Sequence, residues 1–273
     1  MTAAKLRDHG VHAASITYDA PGTLLTFGEA YHIDYPLLSD KGSQVIRAFG
    51  ILNTNIPEDH AMMYGVPWPG NYFIAPDGKV RDKLFLPDYQ LRPSAAEVLL
   101  RHFGDTVDGN AIEVTTDALQ ATVTLSTDHC FPGQEIAVAL HVRLKPGWHI
   151  YGAPLPHNYQ ALELTFDSPL VEETSLQLPP PTPLLLKAVG ETLPVYHGDM
   201  RALGTLRIKW SPPMPAPFLE ALGARIDPGK YTINGTLRFQ ACSEEVCEAP
   251  QAITFTVPLQ IEAGIPPAPK QPG

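Results

Sequence analysis

Apolar and polar positions follow two different rhythms along the chain. In the C-terminal half they alternate with a period of two, the mark of half-buried strands. Residues 120–125 and 136–144 alternate in this way, and so do two runs near the end. The first run carries Tyr231, Ile233, Leu237 and Phe239; the second carries Ile253, Phe255, Val257 and Leu259. Further strands are predicted at 148–151, after the turn Lys145-Pro146-Gly147, and at 161–166 and 203–210. Around seven or more strands with turn signals between them argue for a β-sandwich.

The first hundred residues alternate helix and strand instead. Residues 3–9 read as a short helix ending at Gly10, a suitable C-cap. Residues 11–18 read as a buried strand. Asp19 and Pro21 open a helix with Leu24, Leu25, Phe27 and Tyr31 on it. Residues 35–38 form a short strand, and Ser39 or Asp40 caps a helix holding Val45, Ile46 and Phe49. Pro76-Asp77-Gly78 joins strands 71–74 and 80–86 as a hairpin. A last helix spans 94–103, with Pro93 near its start and Gly104 past its end. This order predicts a sheet with crossover helices. Residues 107–110 are polar and glycine-containing and read as a linker, so the predicted domains are 1–106 and 111–263, with a Pro-rich tail at 264–273.

Composition narrows the function classes. The chain has 273 residues, room for two domains, and its hydrophobic fraction of 44% is that of an ordinary globule. A formal net charge of −10 argues against a nucleic-acid-binding surface. The 29 prolines favour loops and edge strands over long helices. No apolar run approaches the roughly 20 residues that cross a bilayer.

Cys242 and Cys247 carry the candidate chemistry. Five positions apart on one extended strand, they would point to opposite faces and stand roughly 17 Å apart. A disulfide needs Cα atoms about 4.4–6.8 Å apart. If the two bond, the chain must double back through Ser243-Glu244-Glu245-Val246 in a hairpin-like turn. An exposed turn is where thiol–disulfide exchange reaches a partner sulfur. The alternatives are an inert staple or free thiols, although so short a loop gains little entropic stabilisation.

The surrounding residues carry a family resemblance. Phe239-Gln240-Ala241-Cys242, then Cys247, Pro250 and the run 254–259 resemble the active-site hairpin of the N-terminal domain of the bacterial disulfide-interchange protein DsbD. The resemblance covers roughly residues 111–262 and implies an immunoglobulin-like sandwich that passes electrons to periplasmic partners. The loop between the cysteines is shorter than in the best-known members and carries two glutamates. Trp148, Tyr151, Val195 and Tyr196 resemble the strand and cap loop that shield the cysteines there, with residues 195–198 as the cap loop and Tyr151, Val195 and Tyr196 as binding residues. In the first half, residues 16–19, 35–40 and 69–78 resemble the alkyl hydroperoxide reductase/thiol-specific antioxidant redoxins, with Pro69 at the family's cis-proline position. That resemblance covers only the later part of a thioredoxin-like domain. It implies an N-terminally truncated reading of a longer, exported protein. Residues 1–129 contain no cysteine, and thiol peroxidase chemistry needs a thiolate, so peroxidase activity is not expected of this chain.

The fold expected is therefore an incomplete α/β thioredoxin-like domain followed by an all-β sandwich. The function expected is thiol–disulfide exchange at Cys242 and Cys247, with thioredoxin-like redox proteins or periplasmic disulfide substrates as partners and no cofactor. A partner-binding module with a structural disulfide is the alternative; a peroxidase requires an upstream cysteine. Glu244 and Glu245 would disfavour a thiolate beside them and keep the pair sluggish until a partner docks. Cys130, at a turn, reads as a buried free thiol. His141, His149 and His157 show no metal-ligand spacing.

Overall fold

The computed structural model describes residues 2–60, 63–85, 92–106, 111–156, 158–186, 190–211, 216–221, 223 and 225–263. Among the described residues the chain forms two compact units, one of residues 2–95 and one of residues 96–263.

The first unit holds α1 (Thr2–Asp8), β1 (Ser15–Thr17), α2 (Pro21–Ala30), β2 (Leu37–Ser39), α3 (Gln44–Ala48), β3 (Gly70–Ile74), β4 (Val80–Phe85) and β5 (Arg92–Pro93). β1 and β2 pair in parallel, Ile16 opposite Leu38, with α2 as the crossover between them. β3 and β4 pair as the expected antiparallel hairpin, and Gly78 takes the positive φ of 79° that the turn requires. Residue 86, the expected end of β4, lies outside the described residues. Asp40 supplies the helix cap: its Oδ1 and Oδ2 accept from the backbone N–H groups of Gln44 (3.0 Å) and Ile46 (2.8 Å). One expectation fails here. The bond before Pro69 is trans, and among the described residues the cis bond is Ala153–Pro154. The two prolyl isomers differ by only about 0.5–1 kcal/mol, so a sequence likeness does not decide between them.

The second unit begins with α4 (Ala95–Phe103) and continues as β6 (Ala111–Thr115), β7 (Leu119–Leu125), β8 (His129–Cys130), β9 (Gln134–Leu144), β10 (His149–Tyr151), β11 (Glu163–Asp167), β12 (Val171–Gln177), β13 (Thr182–Leu186), β14 (Glu191–His197), β15 (Asp199–Ile208), α5 (Ala216–Ala221), β16 (Gly229–Phe239), β17 (Ala241–Cys242) and β18 (Gln251–Ile261). It is an immunoglobulin-like sandwich. One sheet runs β12-β15-β9-β7-β6 and faces a second, β11-β16-β18-β8. Leu119, Val123, Ile136, Leu140, Leu206 and Ile208 from the first meet Ile233, Leu237, Phe239, Val257, Leu259 and Ile261 from the second, all nearly or fully buried. A third, small sheet runs β13-β14-β10-β17. β12, β13 and β14 were not foreseen, because their residues lack clean alternation; β12 and β13 are largely exposed.

Cys130 sits on a strand rather than at a turn. β8 lies parallel to the end of β18, Cys130 opposite Ile261. It is the free cysteine and is buried. Burial first, and Glu262 second, push its thiol up to about 12. Such a thiol is a packing group at neutral pH.

Candidate functional site

β16 and β18 pair over their full length, from Gly229 opposite Ile261 to Phe239 opposite Gln251. At Gln240 the first of them leaves its sheet. Gln240 spans the change: its Nε2 donates to Glu248 O at 3.1 Å, and its Oε1 accepts from Gln160 N at 3.2 Å. The chain then joins the third sheet as β17, where Ala241 pairs with Ile150 and Cys242 with His149. Five residues later Cys247 returns to form a bridge with Cys242. The two are disulfide-bonded, with Cα atoms 4.1 Å apart. Ser243 organises the turn. Its N–H donates to Val246 O at 2.7 Å, and its Oγ accepts from the N–H groups of Glu245 and Val246 at 3.2 and 3.1 Å.

The two sulfurs live in different surroundings. Cys242 is 0% exposed. Cys247 is exposed, as are Glu244, Glu245 and Val246 beside it. Beneath them Cys242 packs in a small cluster with Tyr151, Leu193 and Val195, against which Leu155, Tyr159 and Leu186 lean. β10 brings Tyr151 there because Gly147, at φ 83°, reverses the chain after β9, and side chains then alternate. His149 and Tyr151 share the face that carries Cys242, while Ile150 enters the main core.

Tyr151 makes a polar contact with both sulfurs. Its hydroxyl lies 3.2 Å from Cys242 Sγ and 3.8 Å from Cys247 Sγ. Its ring meets Tyr159 edge-on at 5.0 Å, and Tyr159 donates to Glu191 Oε2 at 3.2 Å. Burial first, then Tyr159 and Glu191, raise the Tyr151 pKa, so it stays a phenol and a hydrogen-bond donor at neutral pH. Once the disulfide is reduced, that donor faces whichever sulfur carries charge. Tyr151→Phe keeps the ring and removes the donor; hydrogen bonds to charged groups contribute about 1.5–3 kcal/mol. The expected result is a roughly ten-fold slower alkylation of the reduced pair at neutral pH. An unchanged rate would rule out the donor role.

Tyr151 and Val195 thus stand at the cysteine pair, and Tyr196 does not. Residues 195–197 belong to strand β14 rather than a cap loop, paired with β10 as Tyr151 opposite Val195 and Ile150 opposite Tyr196. Adjacent strand residues face opposite sides. Tyr196 therefore points into the main core, its hydroxyl donating to Pro179 O at 2.8 Å. Trp148 also packs against that core. His141 contacts Asp199 Oδ2 at 2.8 Å from β9, and His157 lies outside the described residues. Among the described residues no cluster of three or more His, Cys, Asp or Glu could hold a metal ion.

His149, weighed from the sequence only as a metal ligand, also stands beside the pair. It is 6% exposed and pairs within the third sheet with Cys242 on one side and His197 on the other. Its Nε2 is buried with no hydrogen-bond partner. Its ring meets Tyr151 edge-on at 5.7 Å. Burial first, and His197 second, hold its pKa below the usual imidazole range. The signal available was the alternation of His149 with Tyr151.

Residues 117–259, a bonded pair at their far end included, match the family described as the N-terminal part of the thiol:disulfide interchange protein DsbD. The chain belongs to that family. In the DsbD N-terminal family setting, the bonded pair fits thiol–disulfide exchange or partner binding. Residues 2–83 match the AhpC/TSA family, and the first unit is thioredoxin-like. Among solved structures, the N-terminal periplasmic domain of ScsB from Proteus mirabilis is 18% identical, with a TM-score of 0.37 over 55% of this chain and 50% of that one. The chain thus spans half the length of that relative. The reduced DsbD N-terminal domain of Neisseria meningitidis is 15% identical, with a TM-score of 0.26 over 46% of this chain and 82% of that one. No curated protein matches. Among the described residues no helix is long and apolar enough to cross a membrane.

Proposed function

We propose that the sandwich passes two electrons to a partner disulfide, with Cys247 as the attacking sulfur and Cys242 as the resolving one. The observation that carries this reading is the unequal burial of the pair: Cys242 is sealed under Tyr151, Leu193 and Val195, and Cys247 is exposed on the turn. In-line attack needs access to the sulfur, and only one of the two offers it. The Cys247 thiolate attacks one sulfur of the partner, whose S–S bond breaks and whose second sulfur leaves as a thiolate. Cys242 then attacks Cys247 Sγ, closing the intramolecular disulfide and expelling the partner's first sulfur as a thiolate. The partner is reduced by two electrons and the pair is oxidised by two.

A thioredoxin-like redox protein or another disulfide-bearing protein outside the cytoplasm suits this surface, since a disulfide persists in an oxidising compartment. The first unit adds no thiol, because residues 1–129 lack cysteine. Titration against glutathione, read by the mass of alkylated thiols, tests the reading. The expected potential is more oxidising than about −300 mV; a lower value would mark a structural staple.

Glu244 and Glu245 are exposed on the same turn. Replacing both with Gln is expected to speed alkylation of reduced Cys247 a few-fold at low salt, and less as salt screens the charge. Equal rates at every salt concentration would remove them from the account.

A further inference from the structure

The resolving step leaves a proton to be placed. Cys242 is fully buried, so its thiol has no water to receive the proton that must leave before its sulfur attacks. Two side chains on the facing strand share its surroundings. Tyr151 is a phenol and can donate, but it is no base at neutral pH. His149 is the direct cross-strand partner of Cys242, and paired residues on neighbouring strands hold their Cβ atoms about 4.5–5.5 Å apart. Its Nε2 is buried and unsatisfied while the disulfide is closed. A buried ring nitrogen without a partner costs stability, and such a cost in a native site asks for an explanation. The thiol of reduced Cys242 would supply the missing donor.

Resting on the exchange reading above, we propose that His149 is the base that takes the Cys242 proton in the resolving step. In the tautomer protonated on Nδ1, Nε2 carries a lone pair. As the proton moves from Cys242 Sγ to that nitrogen, the sulfur's electron pair attacks Cys247 Sγ. The Cys242–Cys247 bond forms, the bond from Cys247 to the partner breaks, and the partner's sulfur departs as a thiolate. The imidazolium then gives its proton to that thiolate or to water. The imidazolium gains one positive charge as the departing partner sulfur gains one negative charge, so the net charge is unchanged across the step. A hydrogen bond from the reduced Cys242 thiol to Nε2 would favour the dithiol over the disulfide. The groups facing His149 are His197 on β14, Cys242 on β17 and Tyr151 on its own strand, with Tyr159 and Glu191 beyond Tyr151 and Glu244 and Glu245 exposed on the turn.

A chromogenic aromatic disulfide separates the two steps. Reduced protein releases a first aromatic thiolate when Cys247 attacks, and a second when Cys242 closes the ring. In His149→Gln the first phase is expected to keep its rate. The second should slow about a hundred-fold at neutral pH, the usual scale of general base catalysis, with the deficit shrinking as hydroxide takes over at high pH. In the unaltered protein the second phase should fall off on acidification, as His149 protonates below the usual imidazole range. An unchanged second phase, equal slowing of both phases, or loss of the second phase in His197→Gln but not in His149→Gln would overturn the assignment. Absence of both phases in the unaltered protein would sink the exchange reading itself, and this proposal with it. Should His149→Gln fail to fold, nitrogen NMR of the unaltered protein decides: the Nε2 resonance of His149 must move when the disulfide is reduced, and a fixed resonance overturns the proposal.

Discussion

Cys242→Ser is expected to accumulate a covalent complex with the partner, and Cys247→Ser to capture nothing. The asymmetry follows from burial. With Cys242 replaced, the exposed Cys247 still attacks, but no second sulfur stands behind it to release the partner. The mixed disulfide should then persist for hours, the slow end of uncatalysed disulfide reshuffling. With Cys247 replaced, the remaining thiol is 0% exposed beneath Tyr151 and Val195. It cannot align with an incoming disulfide unless the third sheet opens. The measurement is non-reducing electrophoresis and mass spectrometry of complexes formed with an oxidised thioredoxin-like protein. Equal capture by the two variants would show that burial does not set the order of attack. Capture by Cys247→Ser alone would reverse the assignment.

Phe239→Ala is expected to be the most destabilising single change near the site. Phe239 is fully buried in the main core, at the last position of β16 before the strand changes sheets. Removing a buried aromatic ring costs about 3–5 kcal/mol in lost transfer energy and cavity formation. For a unit of this size each kcal/mol lowers Tm by about 2–4 °C, so a fall of roughly 10 °C is expected. Val246→Ala, at the exposed tip of the turn, should stay within about 0.5 kcal/mol. Circular dichroism melts of the two variants make the comparison. A drop of less than about 2 °C for Phe239→Ala would mean that the ring is not a keystone of the β16–β18 ribbon.

Particular residues show how much of this was legible beforehand. Tyr231, Ile233, Leu237 and Phe239 announced β16, and Ile253, Phe255, Val257 and Leu259 announced β18, because alternation is a local property. A turn between Cys242 and Cys247 was legible only on the condition that they bond: residues five apart on a straight strand stand too far apart for a disulfide. The placement of Tyr196 was not. Its neighbour Val195 faces the sulfurs, and a step of one residue on a strand turns a side chain to the opposite face. A segment read as a loop offers no such parity argument. β12 and β13 escaped notice because edge strands that lie largely exposed need no apolar rhythm. His149 looked like one of ten scattered histidines until pairing with Cys242, far along the chain, gave it a neighbour.

The amino-acid order alone determined the two rhythms, the sandwich after an α/β segment, and that the two cysteines need a bend if they are to bond. Each of these depends on residues a few positions apart. Only the tertiary structure decided which sulfur is sealed and which is open, which aromatic hydroxyl touches them, and which imidazole stands opposite. These depend on Gln240 passing the strand from one sheet to another and on β10 arriving from residues 149–151 to meet it. Solvent access and the missing partner of a buried nitrogen are properties of packing between distant segments, so no local pattern could have revealed them.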